Sequence, residues 1–164
     1  MKQNIAEQAR KLGSILAEKK LTVTTAESCT GGGIACAITA VPGSSEWFNE
    51  SFVTYSNQAK IKLVGVKEET LREYGAVSGK TVEEMAQGAC VRAEASLAVA
   101  VSGIAGPGGG TPDKPVGTVW IGAASSTGEL WSCCYNFTGD REAVREQTVV
   151  TALGVLIRMA REYH

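Results

Sequence analysis

The sequence predicts a three-layer α/β/α sandwich around a mixed β-sheet, and three observations carry that prediction. Apolar, β-branched runs of strand length, "LTVTTA" (21–26) and "LAVAVSGIA" (97–105), alternate with segments of helical spacing. Two later β-rich runs flank the turn "STGE" (126–129) and form a hairpin, which adds an antiparallel pair to a parallel core. No repeat, linker or composition shift divides the 164 residues, so they are expected to form a single domain, 1–164.

The elements follow in order. Ile5, Ala9, Leu12 and Leu16 recur at helical spacing and predict an amphipathic helix over 2–19. The strand "LTVTTA" is followed by "GGGIACAITAV", a small-residue helix broken by Pro42-Gly43. "SFVTYS" (51–56) reads as a second strand, with Asn57 capping a helix over 58–64. A short helix covers 68–74. Thr81 and Glu84 form a capping box for a helix reaching about residue 95. The central strand 97–105 leads into the loop "GPGGGTPDKP" (106–115). The hairpin 116–137 follows, and Asp140 opens the last helix, with Val149, Leu153, Leu156 and Ala160 facing inward.

Composition excludes several classes of function. A net charge of −1 gives no broad electrostatic reason for nucleic-acid binding. No run of roughly 18 apolar residues is present to span a membrane, and the charged N-terminus is unlike a signal peptide. The five cysteines are odd in number and form no C-x-x-C, so neither a disulfide framework nor a zinc site is expected. Reduced thiols and a cytoplasmic location are the simple reading.

The only histidine is His164, the last residue, so a Ser-His-Asp or Cys-His mechanism lacks its imidazole. A hydroxyl must then be activated by Lys, Glu, a terminal amine or an activated water. Lys60 falls in the first turn of its helix, where the macrodipole disfavours a cation. Acting as a base near neutrality requires its pKa to fall about 3 units, worth roughly 4 kcal/mol. The dipole supplies about 1 kcal/mol, leaving the rest to burial. The competing reading is an exposed lysine paired with Glu46, Glu50 or solvent.

Other residues cluster around this candidate in sequence. Tyr55 lies at the end of the strand before the Lys60 helix, and its hydroxyl suits a hydrogen bond or a proton relay. Ser44 and Ser45 follow the sharp turn at Pro42-Gly43, a place for a catalytic hydroxyl or simple turn chemistry. Ser28 and Thr30, before Gly31-Gly32-Gly33, follow a strand and open a helix, where free N–H groups bind anions by donating to them. Glu27 sits at the same strand end. "SGIAGPGGG" (102–110), with Gly103 and Gly106, is a second glycine-rich turn after a strand. Arg141 and Arg145 stack at i, i+4 near a helix N-terminus, an arrangement a bound phosphate or carboxylate would offset.

"TAESCTGG", "GSSEWF", "FVTYSNQAK", "GAVSGKTVEEMA", "SGIAGPGGGTPDKPVGTVW" and "FTGDREAVR", in this order, resemble the CinA C-terminal domain family from about residue 5 to 160. The resemblance implies an α/β/α fold, no metal, no cofactor and a homo-oligomer, with a dimer favoured. It also implies an amidohydrolase that converts nicotinamide mononucleotide to nicotinate mononucleotide and ammonia. On that reading Ser45 is the nucleophile and Lys60 its base, with Ser28 the rival nucleophile or a holder of the carboxamide. Tyr55 orients Lys60 or passes its proton on. Arg141 and the glycines Gly31, Gly32, Gly103 and Gly106 receive phosphate and ribose, joined by Glu27 and Thr30. The alternative is a module that binds a pyridine nucleotide or a protein partner without turnover.

Overall fold

The computed structural model describes residues 2–164. Its five strands are β1 (Val23–Glu27), β2 (Phe52–Val53), β3 (Leu97–Gly103), β4 (Thr118–Ser125) and β5 (Leu130–Asn136). They form one sheet in the order β2-β1-β3-β4-β5. β2, β1 and β3 run parallel, while β4 and β5 add antiparallel to the far side. The mixed sheet expected from the sequence is therefore present.

The six helices are α1 (Gln3–Lys19), α2 (Gly33–Thr39), α3 (Asn57–Val64), α4 (Glu68–Tyr74), α5 (Gly79–Arg92) and α6 (Arg141–Glu162). They divide between the two faces, and strand alternation decides how. Along β3, Leu97, Val99 and Val101 point to the α1/α2/α6 side, where they join Leu12, Leu16, Ile34, Ile38, Leu153 and Leu156. Ala98 and Ala100 point the other way, to Val64, Val82, Met85 and Ala89 from α3 and α5. Each large side chain removed from water contributes roughly 1.5–3 kcal/mol. The alanine face gives less area per residue but lets α5 approach closely. A Cβ at Gly122 would lie 2.6 Å from the Val82 carbonyl oxygen.

Three local expectations shift. The strand expected over 51–56 is short, spanning Phe52–Val53; the Thr54 N–H still donates to the Glu27 carbonyl at 2.8 Å, while the carbonyls of Thr54 and Tyr55 accept from Lys60. The cap of α3 is Ser56, not Asn57: its Oγ accepts from the Ala59 N–H. The cap of α5 is Ser78 rather than Thr81. Glu84 instead accepts from Lys67 N–H and the Thr70 hydroxyl, fastening the start of α4. Asp140 caps α6 as expected, accepting from Ala143 N–H at 2.9 Å.

The chain leaves β1 for α2 on one face and leaves β2 for α3 on the other. Neighbouring parallel strands whose connections diverge in this way open a crevice beyond their carboxyl ends. Ser28 follows β1 directly, and Tyr55 to Lys60 follow β2.

Candidate active site

Lys60 is the most deeply buried of the large side chains at this crevice, with 1% of its surface exposed. Its Nζ donates to the Thr54 carbonyl at 2.8 Å, to Ser28 Oγ at 3.0 Å and to the Tyr55 carbonyl at 3.4 Å. No carboxylate accepts from it among the described residues. Burial disfavours its ammonium form and lowers the pKa to about 8. The neighbouring Cys29 thiol supplies no countercharge near neutrality, since its own burial raises its pKa to about 11.

The hydrogen-bond inventory explains what this pocket does to an amine. As the ammonium, Lys60 satisfies two carbonyls and Ser28 Oγ, and the Ser28 hydroxyl donates to the Tyr55 carbonyl at 3.3 Å. As the neutral amine it keeps two N–H groups for the two carbonyls. Its lone pair then faces Ser28 Oγ. The arrangement can take a proton from a serine hydroxyl at a cost set by a pKa near neutrality, which is what a general base requires.

A cavity of about 300 Å³ opens over this pair, and Ser28, Tyr55, Asn57, Lys60, Ser102 and Arg141 are among its walls. Gly103 and Gly106 line it too. Arg141 donates to the Gly106 carbonyl at 2.8 Å and to the Tyr55 hydroxyl at 3.2 Å, bridging the glycine loop and the α3 side of the crevice. Asn57 opens α3, whose first N–H groups have no partner within the helix. Ser56 satisfies only that of Ala59.

Several sequence expectations are corrected here. The Ser45–Lys60 pair does not form. Ser45 is exposed in a short 3₁₀ turn, Ser44–Glu46. The residue after that turn, Trp47, accepts through its carbonyl from Val23 N–H, at the opposite end of β1 from Ser28. Roughly 15 Å of strand separates the two serines. Tyr55 is 60% exposed, and its main-chain carbonyl rather than its phenol meets Lys60. Glu27 does not face the crevice. It is fully buried and accepts from the Thr25 and Thr30 hydroxyls and from the N–H groups of Ile34 and Ala35. Thr30 is spent on that contact, and neither Gly31 nor Gly32 lines the cavity. Arg145, one turn beyond Arg141, holds the turn by donating to the Cys29 and Thr30 carbonyls.

The position of Ser45 was legible in principle. A helix that follows a strand runs back antiparallel to it, so the turn after α2 must lie at the start of β1.

A parallel α/β crevice holding a serine hydroxyl against a buried lysine defines the class of site. The chain belongs to the CinA C-terminal domain family, whose model matches residues 5–160. It is 53% identical to the nicotinamide-nucleotide amidohydrolase PncC of Enterobacter agglomerans, over 95% of both chains. It is 51% identical to the protein of that name from Escherichia coli K12, over 93% of this chain and 92% of the other. The solved structure of the competence/damage inducible protein CihA from Agrobacterium tumefaciens superposes with a TM-score of 0.95 at 44% identity, covering 97% of each chain.

Proposed function

We propose that this chain hydrolyses the carboxamide of nicotinamide mononucleotide to nicotinate mononucleotide and ammonia, with Ser28 as nucleophile and Lys60 as its base. The observation that carries the mechanism is the 3.0 Å contact between Lys60 Nζ and Ser28 Oγ. The near-full-length kinship to nicotinamide-nucleotide amidohydrolases supports the substrate.

Ser28 Oγ attacks the carboxamide carbon and gives its proton to Lys60 Nζ. The resulting oxyanion draws on donors around the crevice, among them the first N–H groups of α3. The C–N bond then breaks, and Lys60 returns the proton to the departing nitrogen, which leaves as ammonia. Water attacks the acyl-serine ester, giving its proton to Lys60. The ester C–O bond breaks, the acid is released and Lys60 reprotonates Ser28. Arg141, with the loop at Gly103 and Gly106, receives the phosphate and ribose. No residue in this sequence of steps calls for a metal or a cofactor.

The five free cysteines suit a reducing cytoplasm, and no helix of the described residues is long and apolar enough to cross a membrane. The working assembly in this reading is a homodimer.

Ammonia release measured in parallel on nicotinamide, its riboside, its mononucleotide and NAD tests the proposal. Release from the mononucleotide above the other three is expected. Binding of the mononucleotide without release would overturn it in favour of a nucleotide-binding module.

A further inference from the structure

β3 presents alanine to the α5 side at two successive inward positions, Ala98 and Ala100. The next position on that side, Ser102, carries a hydroxyl instead. Ser102 is 1% exposed. Its Oγ has no hydrogen-bond partner among the described residues, although no fully buried side-chain oxygen is left unpaired. The small exposure it keeps therefore lies at the hydroxyl, on the wall of the cavity that holds Ser28 and Lys60.

Register fixes where that hydroxyl stands. Glu27 of β1 pairs with Val101 of β3 in parallel, and the Ser28 N–H donates to the Val101 carbonyl at 3.1 Å. Ser102 is thus the neighbour of Ser28 on the adjacent strand. Both lie on the sheet face that α3 and α5 cover, with adjacent strands about 4.8 Å apart. An unpaired hydroxyl in an apolar strand costs stability unless something in the crevice accepts from it.

We infer that Ser102 donates its O–H to the carboxamide oxygen and holds the oxyanion that forms there, an inference that rests on the amidase reading above. Asn57, which opens α3, lines the cavity with Ser28, and Ser102 stands on the neighbouring strand β3. The hydroxyl forms and breaks no covalent bond. It gains strength only as negative charge develops, so it acts on kcat more than on binding.

The test compares Ser102→Ala with the unaltered protein on nicotinamide mononucleotide, following ammonia. Loss of one oxyanion donor lowers kcat by roughly 10²–10³-fold, while KM moves by less than about threefold. Alanine continues the pattern of Ala98 and Ala100, so the thermal midpoint should hold, and the pH dependence set by Lys60 should keep its inflection. Ser102→Cys, close in volume and a weaker donor, replaces the alanine variant if that one fails to fold and should lose less. An active unaltered protein whose Ser102→Ala variant keeps full kcat overturns this assignment alone. A change confined to KM or to the thermal midpoint overturns it too, since binding or packing would then be the role of Ser102. An unaltered protein that releases no ammonia overturns the amidase reading and this assignment together.

Discussion

The N-terminal turns of α2 and α3 each hold a buried charge, and the two charges are opposite in sign. At α2 the charge is Glu27, which accepts four hydrogen bonds, two of them from the N–H groups of Ile34 and Ala35. An anion at a helix N-terminus is where the macrodipole and the orphan donors favour it. At α3 the charge is Lys60, a cation at the end the dipole disfavours, satisfied by two carbonyls and one hydroxyl. Lys19 marks the contrast: it donates to the Ala160, Arg161 and Tyr163 carbonyls at the C-terminus of α6, where a cation is welcome. Glu27 is therefore a structural clasp. Lys60 is held at a cost in stability, and its lowered pKa is the return.

Breaking the α3 side should give the largest effects. Ser28→Ala should remove activity by roughly 10⁴-fold or more, with the fold intact, as loss of a nucleophile does. Ser45→Ala, in the exposed turn at the other end of β1, should leave kcat within about twofold; ammonia release from the pair of variants decides between the two serines. Lys60→Ala should cost about 10²–10⁴-fold in kcat, the range for loss of a general base. Lys60→Arg should be no better, because a guanidinium stays protonated.

The α2 side should answer in stability instead. Glu27→Gln places an N–H₂ group among donors, and denaturant unfolding should show a loss of about 2–3 kcal/mol. Its activity should fall only as far as the Ser28 turn loosens. The smallest effect sharpens the comparison through pH. The pKa of Lys60 is about 8 in the folded protein against an ordinary lysine value of 10.5. Between these values the unfolded chain holds a proton on Lys60 that the folded chain does not, so Lys60 adds stability as pH rises, while the buried Cys29 thiol, raised to about 11, opposes it from about pH 9 upward. Lys60→Met should remove that contribution, so the change in its unfolding midpoint from pH 7 to pH 10 should be less favourable than that of the unaltered protein.

Much of the fold was legible because it is written in local patterns. β-branched runs marked β1 and β3, helical spacing marked α1 and α6, and the "STGE" turn marked the β4–β5 hairpin. Lys60 was legible for a related reason: a cation near a helix N-terminus contradicts local preference. The caps at Ser56 and Ser78 were missed because a neighbouring Asn or Thr carries the same capping chemistry, and only the path of the chain selects one. The choice between Ser28 and Ser45 depended on which turn shares a sheet end with α3, a contact between residues 32 apart in sequence. Glu27 was misread for the opposite reason. A carboxylate at a strand end fits a ligand crevice or the next helix equally well in sequence, and only the turn through Gly31 and Gly32, both at positive φ, directs it to α2.

Titration of Lys60 itself, followed by NMR of a ¹³C-labelled lysine ε-carbon assigned through Lys60→Met, tests the central claim most directly. An inflection near pH 8, moving when Ser28 is replaced by alanine, is the predicted result. A side chain that titrates at its ordinary value near 10.5 would mean that burial at α3 does not prepare a base, and the mechanism would fail with it.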